Sequence, residues 1–309
     1  MKKYILLLIC LWITLKLGAQ QTYHFSLFTD NAFILNPAAT GIKNQSELSV
    51  SFRKQWHRVN QSPLTSFLTF NSSIPNKHIG FGVYAYDDET GPTALTGFGA
   101  SFAYRITNER NGGFAKKGMR SLSFGLSVSC VYSRLNLKQV LLDNPSDPLI
   151  ATGGFGQKVY PDVSFGVLYS TSQFYTGFSI PQLLNLSSVY RTNGKFSSIK
   201  KMQHYYFTLG GKIKFNDKRF TLEPNLWLKY VIGGYPQGVA NLRLNFVGKG
   251  YAGLSYRSIH GLTFEGGVWI KKRIKIGYAY DLEISKYLPD LGMTHEIILS
   301  YKFRPAYQK

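Results

Sequence analysis

Acidic residues are scarce in this chain of 309 residues, where 16 Asp and Glu stand against 36 Lys and Arg. Charge of either sign amounts to 17% of the composition, low for a soluble protein. Cysteine is almost missing: Cys10 lies in an apolar leader and Cys130 in an alternating segment. Removal of the leader leaves a single thiol, which excludes an internal disulfide and a cysteine-based metal site. Long apolar runs are missing too. Past the leader, no stretch approaches the roughly 20 apolar residues of a membrane helix, so embedding in a membrane has to be by strands that close on themselves. The leader reads Met1-Lys2-Lys3, an apolar run over 4–17, then Gly18-Ala19-Gln20. A charged start, a short apolar core and small residues before a polar stretch are the parts of a secretory signal, with cleavage expected after Ala19. Cys10 sits inside the apolar run behind Ile9, which does not suit a lipoprotein.

With Lys2, Lys3 and Lys16 of the leader set aside, 33 basic residues face 16 acidic ones. A pI near 9.8 first suggests nucleic acid. The basic residues, however, are scattered singly along alternating segments and build no basic helix. They are expected in loops and in a barrel interior, near anionic lipid or an acidic partner, with no nucleic acid involved.

Aromatics, at 15%, and glycine, at 30 residues, are abundant. From Glu47 onward apolar and small polar residues alternate with period two, the mark of half-buried strands. The clearest case is 121–133. Leu122, Phe124, Leu126, Val128, Cys130 and Tyr132 share one face, while Ser121, Ser123, Gly125, Ser127 and Ser129 share the other. Leu48, Val50 and Phe52 repeat the pattern, as do Phe98, Ala100, Phe102 and Tyr104, and Ile297, Leu299, Tyr301 and Phe303. About fourteen such segments follow one another, each near the 9–11 residues of a bilayer-crossing strand. Several connections are tight (170–172, 216–218, 248–250, 271–272), and others are long (134–160, 181–201, 283–293), as in barrels with short periplasmic turns and longer outer loops; the connection at 107–120 breaks this pattern, being long and basic on the presumed periplasmic side. A soluble sandwich also alternates, but its inner face is apolar. Here that face carries Ser, Gly and Thr, with Arg53, Lys212 and Lys229 in mid-strand.

The expected fold is therefore all-β: a transmembrane outer-membrane barrel of about fourteen antiparallel strands over 46–309, reached through a leader (1–19) and an N-terminal periplasmic segment (20–45). Trp56, Trp227 and Trp269 are candidates for the aromatic girdles at the membrane interfaces.

Catalytic and cofactor motifs are not convincing. Gly248-Lys249-Gly250-Tyr251-Ala252-Gly253 fits the dinucleotide pattern, but it bridges two strands where the motif needs a helix to follow. His295-Glu296 opens like a zinc-protease helix, yet Leu299 stands at the second histidine. The six histidines show no metal spacing. No serine lies in a nucleophile elbow. Asp87-Asp88-Glu89 reads as a solvated loop. The protein is expected to be no enzyme, with no cofactor.

Several segments resemble the PorP/SprF family. Asn36-Pro37-Ala38-Ala39-Thr40-Gly41 matches its N-P-A-x-x-G element and precedes the strand end Arg53-Lys54-Gln55-Trp56. Leu222-Glu223-Pro224, then Gly253-Leu254-Ser255-Tyr256-Arg257 and Ile276-Gly277-Tyr278-Ala279-Tyr280-Asp281, follow in order, and His295-Glu296-Ile297 closes the chain. Ala-Thr stands in the first element where an aromatic is frequent. The resemblance implies an outer-membrane component of the type IX secretion system of Bacteroidetes. Such a protein aids secretion or surface anchoring of cargo with C-terminal sorting domains, gliding adhesins among them. Its partners would be the secretion machinery, that cargo and outer-membrane lipid. Pro37 fixes φ and Gly41 allows a positive φ, so the element is expected to be a rigid turn. Asn36, Pro37, Gly41, Arg53, Gln55 and Trp56 are the candidate partner-binding residues. A passive or anion-preferring pore is the alternative function.

Overall fold

The computed structural model describes residues 24–43, 45–74, 77–108, 120–136, 155–184, 186, 188–192, 195–199, 202–215, 219–232, 234–258, 261–284 and 291–303. The leader and much of the connections 134–160 and 181–201 lie outside them.

The strands are β1 (Glu47–Lys54), β2 (Leu64–Ile74), β3 (Ile79–Thr90), β4 (Thr93–Thr107), β5 (Arg120–Asn136), β6 (Phe155–Thr171), β7 (Phe174–Ile180), β8 (Ser188–Thr192), β9 (Lys195–Ile199), β10 (His204–Gly211), β11 (Ile213–Lys214), β12 (Phe220–Val231), β13 (Gln237–Phe246), β14 (Gly250–Arg257), β15 (Gly261–Ile270), β16 (Ile274–Glu283) and β17 (Thr294–Lys302). Strands β8 and β9 pair with each other as a separate hairpin. The two residues of β11 continue β10 past a break at Lys212 and stay paired with β12. The remaining strands join antiparallel neighbours in chain order. β1 pairs with β17, and β10 pairs with β12, so the sheet has no free edge. The result is a closed antiparallel barrel of fourteen strands. Closure matters in lipid, where an unpaired backbone edge would cost several kcal/mol per group.

Alternation assigns the two faces. On β5, Ser121, Ser123 and Ser127 are buried inside the barrel, while Phe124, Leu126 and Val128 are exposed outside. Phe98, Phe102 and Tyr104 on β4 and Ile297 and Leu299 on β17 also point out. This outer surface is a continuous apolar band, too large to face water and suited to hydrocarbon. Cys130 lies on it, exposed, as a small hydrophobe.

The structure departs from expectation at Trp227, Trp269, Lys212 and the Asp87-Asp88-Glu89 run. Trp227 is no girdle residue: it points inward at 2% exposure, because Leu228 and Tyr230 hold the outward register of β12. Trp269 also shares the inward register, beside Lys302. Trp56 lies half-buried and donates through Nε1 to Glu283 at 3.3 Å. Lys212 is not embedded; it sits at the β10–β11 break, 54% exposed, paired with Glu223 at 3.3 Å. Asp87, Asp88 and Glu89 lie on the end of β3 and not in a loop, with Thr65 donating to Asp88 at 2.5 Å. The dinucleotide-like run is the β13–β14 turn, with Gly248 at φ +75.

Candidate functional site

The barrel interior is occupied by the chain's own N-terminal segment. Residues 24–43, part of the segment expected to lead into the barrel, lie inside it. His24 meets Lys229 near one end of β12. The segment then crosses the lumen, and Gly41 reaches Asn71, near the opposite end, where β1 begins. A four-residue helix, α1 (Ala32–Leu35), leads into a 3-10 turn over Pro37–Ala39.

The N-P-A-A-T-G element forms this turn. Asn36 caps it, its Oδ1 accepting from Ala38 N at 2.9 Å. Its Nδ2 donates to the carbonyls of Val167 (3.2 Å) and Phe178 (3.4 Å), which binds the turn to β6 and β7. Pro37 occupies the first turn position, where a missing N–H costs nothing. Gly41 takes φ +70 and donates to Asn71 Oδ1 at 2.7 Å. The wall is cut away to receive the turn. A Cβ on Gly125 would lie 2.1 Å from Ala38 N, and one on Gly166 would lie 2.0 Å from Asn36 Oδ1. Glycine at these inward positions is a steric requirement of the contact.

Toward its start the segment is held by charge. Arg53 pairs with Asp281 at 2.9 Å and with Glu296 at 3.2 Å, all three buried. Ser26 N donates to Glu296 at 2.6 Å, and Ser26 Oγ donates to Asp281 at 2.7 Å while accepting from Arg53. Arg257 donates to the Phe25 carbonyl at 3.2 Å. A second cluster surrounds Asp30, which pairs with Lys275 and, at 3.4 Å, with Arg243. Arg243 also pairs with Glu265 at 2.8 Å. Burial alone would raise the Asp30 carboxyl, but Lys275, Arg243 and Lys43 together hold it well below the usual carboxylate range. Around the clusters, Phe28 stacks on Trp227, Phe25 packs on Phe67, and Phe33 meets Tyr84 edge-on. The segment thus touches wall on all sides and spans the lumen.

Below it, at the end where β1 begins, a cavity of about 690 Å³ opens between Leu35, Tyr175, Arg243, Trp269, Lys272 and Lys302.

The six residues singled out from sequence fall into two groups. Asn36, Pro37 and Gly41 form the turn. Arg53 forms the first ionic cluster, and Gln55 and Trp56 lie just past the end of the same strand. Gln55 N donates to Pro63 O at 2.9 Å, and Trp56 N donates to Thr294 Oγ1 at 3.3 Å. All but Trp56 are buried, so their contacts are with the barrel and its own segment. Sequence reasoning missed Asp30, Arg243, Glu265, Lys275, Asp281 and Glu296. The available signal was their position: the five on strands are charged residues in the inward register of otherwise apolar-flanked strands. Among the described residues no group of His, Cys, Asp and Glu is arranged to hold a metal.

A closed, lipid-faced barrel with a polar, occupied interior defines an outer-membrane protein. The chain belongs to the PorP/SprF family, type IX secretion system membrane proteins, whose family model matches residues 17–301. No curated protein matches it. Among solved structures it is similar to the Pseudomonas putida toluene transporter TodX, at 14% identity over 86% of this chain and 92% of that one, with a TM-score of 0.46. It is similar also to a Pseudomonas aeruginosa FadL homologue, at 11% identity over 88% and 93% and a TM-score of 0.48. A third is the Acinetobacter baumannii outer membrane protein Omp33, at 8% identity over 85% and 100% and a TM-score of 0.43.

Proposed function

We propose that this protein is a non-enzymatic outer-membrane component of the type IX secretion system that aids secretion or surface anchoring of sorting-domain-bearing cargo, gliding adhesins included. It serves as a plugged, rigid docking frame and not as a conduit. The observation that carries this reading is the N-terminal segment spanning the lumen and held at both ends. A frame whose interior is filled presents its two rims to partners: short turns toward the periplasm, the long connections outside. Asn36, Pro37, Gly41, Arg53 and Gln55 act in partner binding by fixing the frame, and half-buried Trp56 does so at the outer rim, where Glu283 holds it.

Deletion of the gene is expected to abolish surface display of one or a few cargo proteins while type IX secretion as a whole continues. Normal display of every such cargo in the mutant would refute the proposal.

A further inference from the structure

From the cavity at the end where β1 begins, we infer a binding site for an acidic polypeptide segment. The inference rests on the proposed docking role and names the chemistry of one partner.

The turns at this end, as far as they are described, hold Lys77, Arg219, Lys249, Lys271 and Arg273 and no Asp or Glu, and Lys214 stands beside them on β11. The connections at this end are short apart from the one between Thr107 and Arg120, and by the rule that outer-membrane barrels turn short in the periplasm this rim faces the periplasm. The cavity opens inside this basic ring. Within it, Lys302 Nζ lies 3.7 Å from the centre of the Trp269 ring. Lys272 and Lys302 enter no ion pair among the described residues, whereas deeper cations such as Lys275 are already matched by Asp30. Asn245 also lines the cavity, and its Nδ2 is buried without a partner. The lining carries Lys43, Lys212, Arg243, Lys272, Lys275 and Lys302 against Asp30 and Glu223, and so has an excess of positive charge, together with an unused amide donor and apolar flanks from Leu35, Ile42 and Leu168.

That combination suits carboxylates carried on a chain with apolar side chains. The volume lies in the roughly 300–1,000 Å³ range of sites that enclose a small ligand, so it takes a short extended segment or chain end and not a folded domain. The lining faces the lumen and not the outer apolar band, which keeps membrane lipid from entering sideways. Charge attraction across the basic ring would speed encounter and make binding weaken with salt.

The test uses the full chain purified in zwitterionic nanodiscs. The probe is a fluorescein-labelled ten-residue peptide of Glu, Gly and Phe with a free C-terminal carboxylate. Saturable binding is expected, at least tenfold weaker for the double variant Lys272→Gln/Lys302→Gln and unchanged for Lys54→Gln at the opposite rim. Heat-dependent electrophoretic mobility verifies that each variant is a folded barrel. Absence of saturable binding, equal binding of the Lys-for-Glu peptide, or an unweakened double variant would overturn the site. Displacement by inorganic phosphate or by phosphatidylglycerol vesicles at peptide-equivalent concentration would overturn its assignment to polypeptide. Gene deletion separates the two proposals: peptide binding with every cargo still displayed sinks the secretion role alone, and a deletion phenotype without peptide binding sinks this site alone.

Discussion

The two halves of the lumen segment are held by different physics. Residues 26–30 are fastened by buried charge: Ser26 to Asp281 and Glu296, Asp30 to Lys275 and Arg243. Residues 33–41 are fastened by shape, through aromatic packing and a capped turn seated against glycines. Charge tolerates small displacements but fails when one partner is lost or protonated. Close packing ignores pH and salt but fails on the addition of a single methyl. A segment anchored both ways resists displacement by either kind of perturbation alone.

Removing both anchors gives the largest expected effect. Deletion of residues 24–43 should convert a barrel silent in planar bilayers into one with large, stable single-channel currents; equally large currents from the full chain would show that the segment does not seal the lumen. Within the charged half, Arg53→Ala leaves Glu296 buried without its cation and Asp281 with Arg257 alone, at 3.8 Å. Breaking such a pair on one side costs about 3–5 kcal/mol, read as a lower urea midpoint. Within the packed half, Gly125→Ala drives a methyl into the Pro37–Ala38 backbone, at an expected cost of about 1–3 kcal/mol. Protease access to the segment should increase accordingly. Gly266→Ala, whose added Cβ would meet its nearest neighbour at 3.7 Å, is the matched control and should change nothing. Asn36→Ala removes the turn's cap and should cost about 1 kcal/mol, measurable by the same protease assay.

Acid should distinguish the halves with the mildest treatment. The folded protein holds the Asp30 carboxyl below the ordinary value near 3.9. The stabilisation from its ion pairs is complete above that pH and is lost progressively as pH falls below it. Exposure of the 24–30 stretch should increase below about pH 4, while Asp30→Asn should be less stable at neutral pH and less sensitive to that acid step.

The barrel was legible because period-two alternation is set by strand geometry alone, and each run of alternation in 46–309 became a strand. Strand ends were harder. β3 continues through Asp87 and Asp88 because Thr65 and Thr96 satisfy these carboxylates on neighbouring strands, a pairing no local pattern reveals. The turn at 36–41 was legible from Pro37 and Gly41, whose backbone preferences are intrinsic. Its place inside the lumen was not, since that depends on inward glycines such as Gly125 and Gly166, far along the chain. The tryptophans misled for a related reason. An aromatic in a membrane barrel suggests an interface, but the filled lumen creates a second apolar environment, and Trp227 belongs to it. The ionic clusters combine β1, β13, β15, β16 and β17 with residues 26–30, and only the closed topology brings these together.

The first ionic cluster also has a consequence for how the molecule is built. Arg53 lies on β1, Asp281 on β16 and Glu296 on β17, so the cluster straddles the junction of the first and last strands. Ser26 bonds residues 255 and 270 positions further along the chain. Such distant pairings form late. The stretch around Ser26, early in the chain, therefore cannot lock until the final strand has arrived, and once it does, it rivets shut the seam by which the cylinder was made.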